Sequence, residues 1–111
     1  PEDYVRYKKR ALLLAEKRIA YFNEIYGFSF NKINIKDHRT RWGSCSAQKN
    51  LNFNYRILFL PKAQRDYVIV HELCHLKELN HSKKFWRLVE QVLPNYSGII
   101  KELRKHGLLY A

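Results

Sequence analysis

Three features of the 111-residue chain predict an α+β fold whose strands are grouped between two helical regions. Apolar residues recur at helical spacing through the first quarter. A stretch of Phe, Ile and Asn with strand-like character follows, interrupted by polar turns. From Pro61 onward the helical signals return.

Val5, Leu12, Ala15, Ile19, Phe22 and Tyr26 are separated by three, four or seven residues, which places them on one stripe of a long amphipathic helix ended by Gly27; this N-terminal unit spans 1–29. A small, three-stranded antiparallel sheet is expected over 30–54. Phe28, Phe30, Ile33 and Ile35 mark its first strand region, Arg41 to Ser46 its second and Leu51 to Asn54 its third, with a polar turn at 47–50. Pro61 suits the first turn of a helix, where its missing N–H costs nothing, and Tyr67-Val68-Ile69-Val70 then runs into His71. Four adjacent β-branched or aromatic residues would also suit a short buried strand, but Leu73, Leu76 and Leu79 at three-residue spacing favour the helix. Asn80 tolerates the left-handed conformation that ends a helix, and Ser82 is a good N-cap for the segment from Lys83 to Glu90. Pro94-Asn95 separates that segment from a last helix running to about His106 and closed by Gly107. Residues 61–107 thus hold a motif-bearing helix and two C-terminal helices, and 1–111 reads as one domain.

Function is concentrated in 71–81, His-Glu-Leu-Cys-His-Leu-Lys-Glu-Leu-Asn-His. On a helix His71 and His75 share a face and can reach one metal ion, while Glu72, about 100° round the axis, flanks it. Ile69, Leu73 and Leu76 fall on the opposite side, so the helix is apolar nearly all round and is expected to be buried. Two imidazoles and a carboxylate in such a place need something to satisfy them, which a metal ion does. Catalytic zinc takes three protein ligands and keeps a position for water. In an unbroken helix His81 would lie about 9 Å beyond His75 along the axis, but the helix stop at Asn80 and start at Ser82 let it fold back as the third ligand. A structural zinc site, closed by four protein ligands, has no use for a carboxylate beside the metal; three histidines and a base fit a catalytic one. Cys45 and Cys74 read as small buried residues, and His38 and His106, without ligand spacing, as surface or cap residues.

Arg41-Trp42-Gly43-Ser44-Cys45, Leu51-Asn52-Phe53-Asn54, Leu60-Pro61, Tyr67-Val68, His71-Glu72-Leu73-Cys74-His75-Leu76 and Asn80-His81-Ser82 with Phe85-Trp86 together resemble the YgjP-like zinc metallopeptidase domain. That family is related to the SprT-like and minimal gluzincin-type peptidases. The resemblance covers roughly residues 30 to 107 and departs from the family pattern at Cys74 and Gly98-Ile99-Ile100. It implies a zincin-like fold, one zinc ion held by His71, His75 and His81, and Glu72 as the general base of a zinc-dependent endopeptidase acting on protein or peptide substrates. Tyr96 is the candidate oxyanion donor, with a role in the core as its alternative. In zincins the substrate lies extended along a sheet edge, and Leu51, Asn52, Phe53 and Asn54 are expected to form that edge.

Hydrophobic residues at 46% and aromatic residues at 14% suit a folded globule, and no apolar run approaches the length of a membrane span. Two cysteines are too few for a disulfide framework and fit a reducing, cytoplasmic setting, where a monomer is expected. A first residue of Pro1 rather than Met suggests a processed or excised chain with an upstream segment missing. Twenty-one Lys and Arg against ten Asp and Glu give a net charge of +11, which points to a polyanionic partner or to a solvated basic surface. Arg39, Arg41, Arg56, Lys62 and Arg65 are the candidate contacts to nucleic acid, bound without sequence preference because no sequence-reading motif is present. Two alternatives to a general endopeptidase follow: a DNA-associated SprT-like protease, and a non-catalytic module with structural zinc and a nucleic-acid-binding face.

Overall fold

Helix α1, Glu2–Tyr26, opens the chain with Glu2 and Asp3 in its first turn, where carboxylates oppose the positive end of the helix dipole. It closes at Gly27, whose φ of 68° lies in the left-handed region that glycine enters at little cost. The computed structural model describes residues 1–108. Ala11, Ala15, Ile19 and Phe22 form the buried stripe of α1. Val5, expected on that stripe, is 75% exposed, and Tyr4 and Tyr7 continue the packing in its place.

Strands β1 (Lys32–Lys36), β2 (Gly43–Cys45) and β3 (Asn50–Asn54) form one sheet in the order β1-β3-β2. The sheet is mixed where an antiparallel one is expected from the sequence. β2 runs antiparallel to β3, with Gly43 opposite Phe53 and Cys45 opposite Leu51, but β1 runs parallel to it, with Lys32 opposite Asn50 and Lys36 opposite Asn54. Burial decides which strand is central. Leu51 and Phe53 are fully buried, so β3 takes the centre, where both of its edges are covered, and the three-residue β2 is carried outside it. On the sheet's polar face, Asn34 donates to Asn52 at 3.0 Å and Asn52 to Ser44 at 3.2 Å, a side-chain ladder across all three strands. The β2–β3 turn is closed by Ser46, whose Oγ accepts from the Asn50 N–H, and Lys49 there has φ 66°.

Asn54, fully buried at the end of β3, donates to the carbonyls of His38 and Arg41 at 2.9 and 3.0 Å and accepts from the Arg56 N–H at 3.0 Å. It thereby pins the loop that carries the chain from β1 to β2. A 3-10 turn, Tyr55–Phe59, leads to Pro61, which caps rather than begins α2, Lys62–His75. Every residue of α2 from Asp66 to His75 is buried, as a helix apolar on nearly all sides requires. Arg18 of α1 grips Asp66 of α2 through two hydrogen bonds of 3.0 and 3.1 Å, a forked ion pair that fixes the two helices against each other. Helix α3, Lys83–Val92, starts at Ser82, whose Oγ accepts from the Phe85 N–H. Helix α4, Tyr96–Leu103, passes into a 3-10 turn, Arg104–His106, closed by Gly107 at φ 79°. Among the described residues no helix is long and apolar enough to cross a membrane.

Candidate metal centre and active site

His71 and His75 lie one turn apart on α2, and His81 reaches them from the loop before α3. Their Nε2 atoms converge: 3.0 Å separates His71 from His75, and 3.1 Å separates each from His81. The helix ends at His75 rather than at Asn80, and among the described residues Lys49 is the non-glycine residue with positive φ. The early stop has a local cause. Lys77 and Glu78 turn back onto the Cys74 carbonyl, which brings the Glu78 carbonyl to 3.0 Å from His75 Nδ1.

That contact fixes a proton. A carbonyl can only accept, so His75 Nδ1 is the donor and Nε2 of the neutral ring is a bare lone pair. Burial keeps the ring neutral by lowering its pKa. His71 Nδ1 lies 3.0 Å from the Tyr67 hydroxyl, a partner that frees its Nε2 in the same way when Nδ1 carries the proton. Lone pairs facing one another at 3.0 Å repel unless a cation lies among them. Nitrogens on a tetrahedral zinc ion at 2.0–2.1 Å would stand roughly 3.3 to 3.4 Å apart, so a small outward shift of these rings accommodates the ion.

Glu72 is 0% exposed beside the triad and faces β2. The approach is so close that a Cβ on Gly43 would stand 2.9 Å from Glu72 Cγ, 3.2 Å from its Oε2 and 3.0 Å from the Asn52 carbonyl oxygen. Arg41, Ser44 and Cys45 on one side, with Glu72, His75 and Leu79 on the other, line a cleft of about 160 Å³. Its strand wall is β2. Leu51 to Asn54, expected as the substrate edge, form the central strand instead, with β1 and β2 on their two sides, and among the described residues the sheet edge beside the triad is Gly43–Cys45. Burial, then the charge of Glu72, pushes the Cys45 thiol up to about 11. Burial pushes Cys74 up to about 12, and neither sulfur belongs to the ligand cluster of His71, His75 and His81.

Phe85 of α3 packs against all three imidazoles, with centroid separations of 5.0, 4.5 and 5.0 Å for His71, His75 and His81. Trp86 stacks on His81 at 5.9 Å, and Tyr96 stacks on Trp86 at 4.9 Å. Tyr96 therefore belongs to an aromatic stack behind His81 and lines neither cavity that touches the triad. Among the described residues, the tyrosine that hydrogen-bonds to the triad is Tyr67, which sequence reasoning did not single out. Its position four residues before His71, on the same helix face, was the available signal. A second cavity, of about 190 Å³, lies between His71, His81 and the C-terminal helix.

The five basic residues proposed as nucleic-acid contacts are not equivalent. Arg56 is committed to Asp37 at 3.0 Å, to the His38 carbonyl at 2.9 Å and to the Tyr55 ring at 4.6 Å, and Arg65 is half-buried. Arg39, Arg41 and Lys62 are exposed. His38 and His106 lie outside the triad; the ring of His106 stands edge-on to Trp42 at 6.1 Å.

The family profile described as YgjP-like, metallopeptidase domain, matches residues 4–106. Two solved structures share the fold. The metallopeptidase zymogen of Pyrococcus abyssi abylysin superposes with a TM-score of 0.74 at 24% identity, covering 83% of this chain and 93% of that one. The metallopeptidase zymogen of Methanocaldococcus jannaschii jannalysin gives 0.72 at 22% identity, covering 85% and 97%. No curated protein matches the chain.

Proposed function

The chain belongs to the YgjP-like metallopeptidase family, and on that premise we propose that it is a zinc-dependent endopeptidase in which His71, His75 and His81 hold one zinc ion and Glu72 is the general base. The observation that carries this reading is the convergence of three Nε2 atoms within 3.1 Å beside a buried carboxylate that is not needed to hold the ion.

Zinc bound there supplies a Lewis acid for the peptide carbonyl and a lowered pKa for water. The rest falls to side chains of this chain. Glu72, on the cleft wall, takes a proton from the attacking water and hands it to the departing amine nitrogen. Tyr67 and the Glu78 carbonyl hold the rings of His71 and His75 so that Nε2 of each faces the centre. The outer edge of β2, which pairs with no other strand among the described residues, offers backbone N–H and C=O groups to an extended substrate, which would lie as an added strand across the cleft. Tyr96, stacked on Trp86, supports the ring that stacks on His81 in this arrangement, and Ser44 and Cys45 line the cleft beside Glu72. The two free cysteines agree with a reducing, cytoplasmic setting for a single such domain.

The test is Glu72→Gln, which keeps size and shape but cannot accept the proton. The variant is expected to fold, to retain zinc and to hydrolyse an unfolded protein roughly 100- to 10,000-fold more slowly. Cleavage at the parental rate would remove Glu72 from the reaction.

A second reading is favoured by one observation, the net charge of +11. A peptidase whose exposed Arg39, Arg41 and Lys62 hold it on nucleic acid would act on proteins bound there.

A further inference from the structure

The cleft beside Glu72 meets the triad at His75, whereas the cavity of about 190 Å³ meets it at His71 and His81. A substrate laid along β2 and across the triad therefore delivers the residue on the far side of the cleaved bond to this second cavity. Trp86, Ile100, Leu103 and Leu108 give it apolar walls, and its size suits one branched or aromatic side chain.

One cation belongs to that lining. Arg104 begins the 3-10 turn after α4, is exposed and lines the cavity, and its charge acts on Tyr67 in the same lining. Among the described residues it has no ion-pair partner, because the neighbouring carboxylate of Glu102 pairs with Lys105 at 2.8 Å. Lys101 on the same segment adds to the positive potential. A guanidinium in the lining of an apolar cavity presents a planar fork that matches a carboxylate.

The geometry points to a specificity subsite that takes an apolar side chain next to a carboxylate, with Arg104 as the residue that recognises the carboxylate. The orientation of substrate in this inference rests on the peptidase reading above. The carboxylate has two sources: the C terminus of a short peptide, or an acidic side chain one residue further along.

The test is an equilibrium titration followed by NMR, using the zinc-loaded chain carrying Glu72→Gln so that the probes stay intact. The probes are N-acetyl-leucine, N-acetyl-leucinamide and the amidated dipeptide N-acetyl-Leu-Asp-amide. At least one carboxylate probe is expected to bind about 10-fold more tightly than the leucinamide, as a charge-assisted pair with Arg104 would give. Preference for the first probe identifies a chain terminus, and preference for the third an acidic side chain. Adding Arg104→Gln, at an exposed position, should abolish the preference and leave leucinamide affinity unchanged. A metal ion attracts carboxylate equally in both proteins, so the difference between them isolates Arg104. Ile100→Phe, which fills the cavity, should weaken all three probes alike. No binding of any probe, an unchanged preference in Arg104→Gln, or unaltered affinities in Ile100→Phe would each overturn the inference. None of these readouts needs turnover, so the subsite stands or falls separately from the hydrolysis test of Glu72.

Discussion

A single hydrogen atom at position 43 sets the distance between helix and strand at the active site. Gly43 has no left-handed φ to justify it, since only Gly27 and Gly107 have positive φ among the glycines. It is there because any Cβ would meet Glu72 Cγ at 2.9 Å and the Asn52 backbone oxygen at 3.0 Å, and backbone cannot give way cheaply. Gly43→Ala is expected to cost about 1 to 3 kcal/mol by overpacking and to cut hydrolysis more than 10-fold by displacing Glu72, with zinc content unchanged. Gly98 provides the contrast. Nothing lies within 4 Å of a Cβ there, so Gly98→Ala in α4 should stabilise the fold by roughly 0.5 to 1 kcal/mol. Melting curves, zinc analysis and hydrolysis rates of the two variants side by side decide both points. Such residue-level facts divide by range. The four-residue spacings that join Tyr67 to His71 and His71 to His75 are properties of one helix and are legible in the sequence. The closeness of Gly43 to Glu72 arises only when β2 meets α2, and no local pattern records it.

Elements were legible where their ends carry chemistry of their own. Gly27, Ser82 and Gly107 mark termini that the structure reproduces, because left-handed glycine and a hydroxyl cap act within one turn of chain. The end of α2 was misplaced because it depends on His75 Nδ1 capturing the Glu78 carbonyl, a contact that propensity does not encode. The substrate edge expected at Leu51 to Asn54 is not legible for a related reason: β3 takes the centre through the burial of Leu51 and Phe53, which is a tertiary preference. The Ser82 cap has a consequence beyond helix stability, since His81 is the residue before it. Ser82→Ala is expected to lower stability by about 1 kcal/mol and, by loosening the entry to α3, to weaken zinc binding several-fold. Competition with a chelator measures the second effect. Zinc affinity equal to that of the parent would mean that Phe85 and Trp86 alone position His81.

Across the whole molecule two properties scale with solution conditions. The net charge of +11 predicts nucleic-acid binding that is indifferent to sequence and falls steeply with salt, because it rests on counterion release from phosphates; absence of binding at low ionic strength would confine the charge to a solvated surface. The response to alkali follows from the buried acids. Cys74 has its pKa raised to about 12 and Cys45 to about 11, while Tyr26 and Tyr67 are raised further, in every case by burial first. A thiol whose folded pKa lies above the unfolded value near 9.0 keeps its proton in the native state after the unfolded chain has lost it. Above that pH the native state binds more protons than the unfolded one, so stability must fall as pH rises. It is fully present below about pH 9 and is lost progressively toward pH 12, with the phenols, whose ordinary value is 10.0, joining only later. Between pH 9 and 10 the thiols therefore act nearly alone among these groups. Lysines losing protons at higher pH relieve the self-repulsion of a basic chain and act in the opposite direction, so the informative measurement is a difference. Melting temperatures of the parent and of Cys74→Ala, followed from pH 8 to pH 10, should converge as the pH rises, because only the parent carries the buried Cys74 thiol whose proton is being drawn off in the unfolded state. Parallel curves across that interval would show that Cys74 titrates alike in both states and is not held in the core as the structure places it.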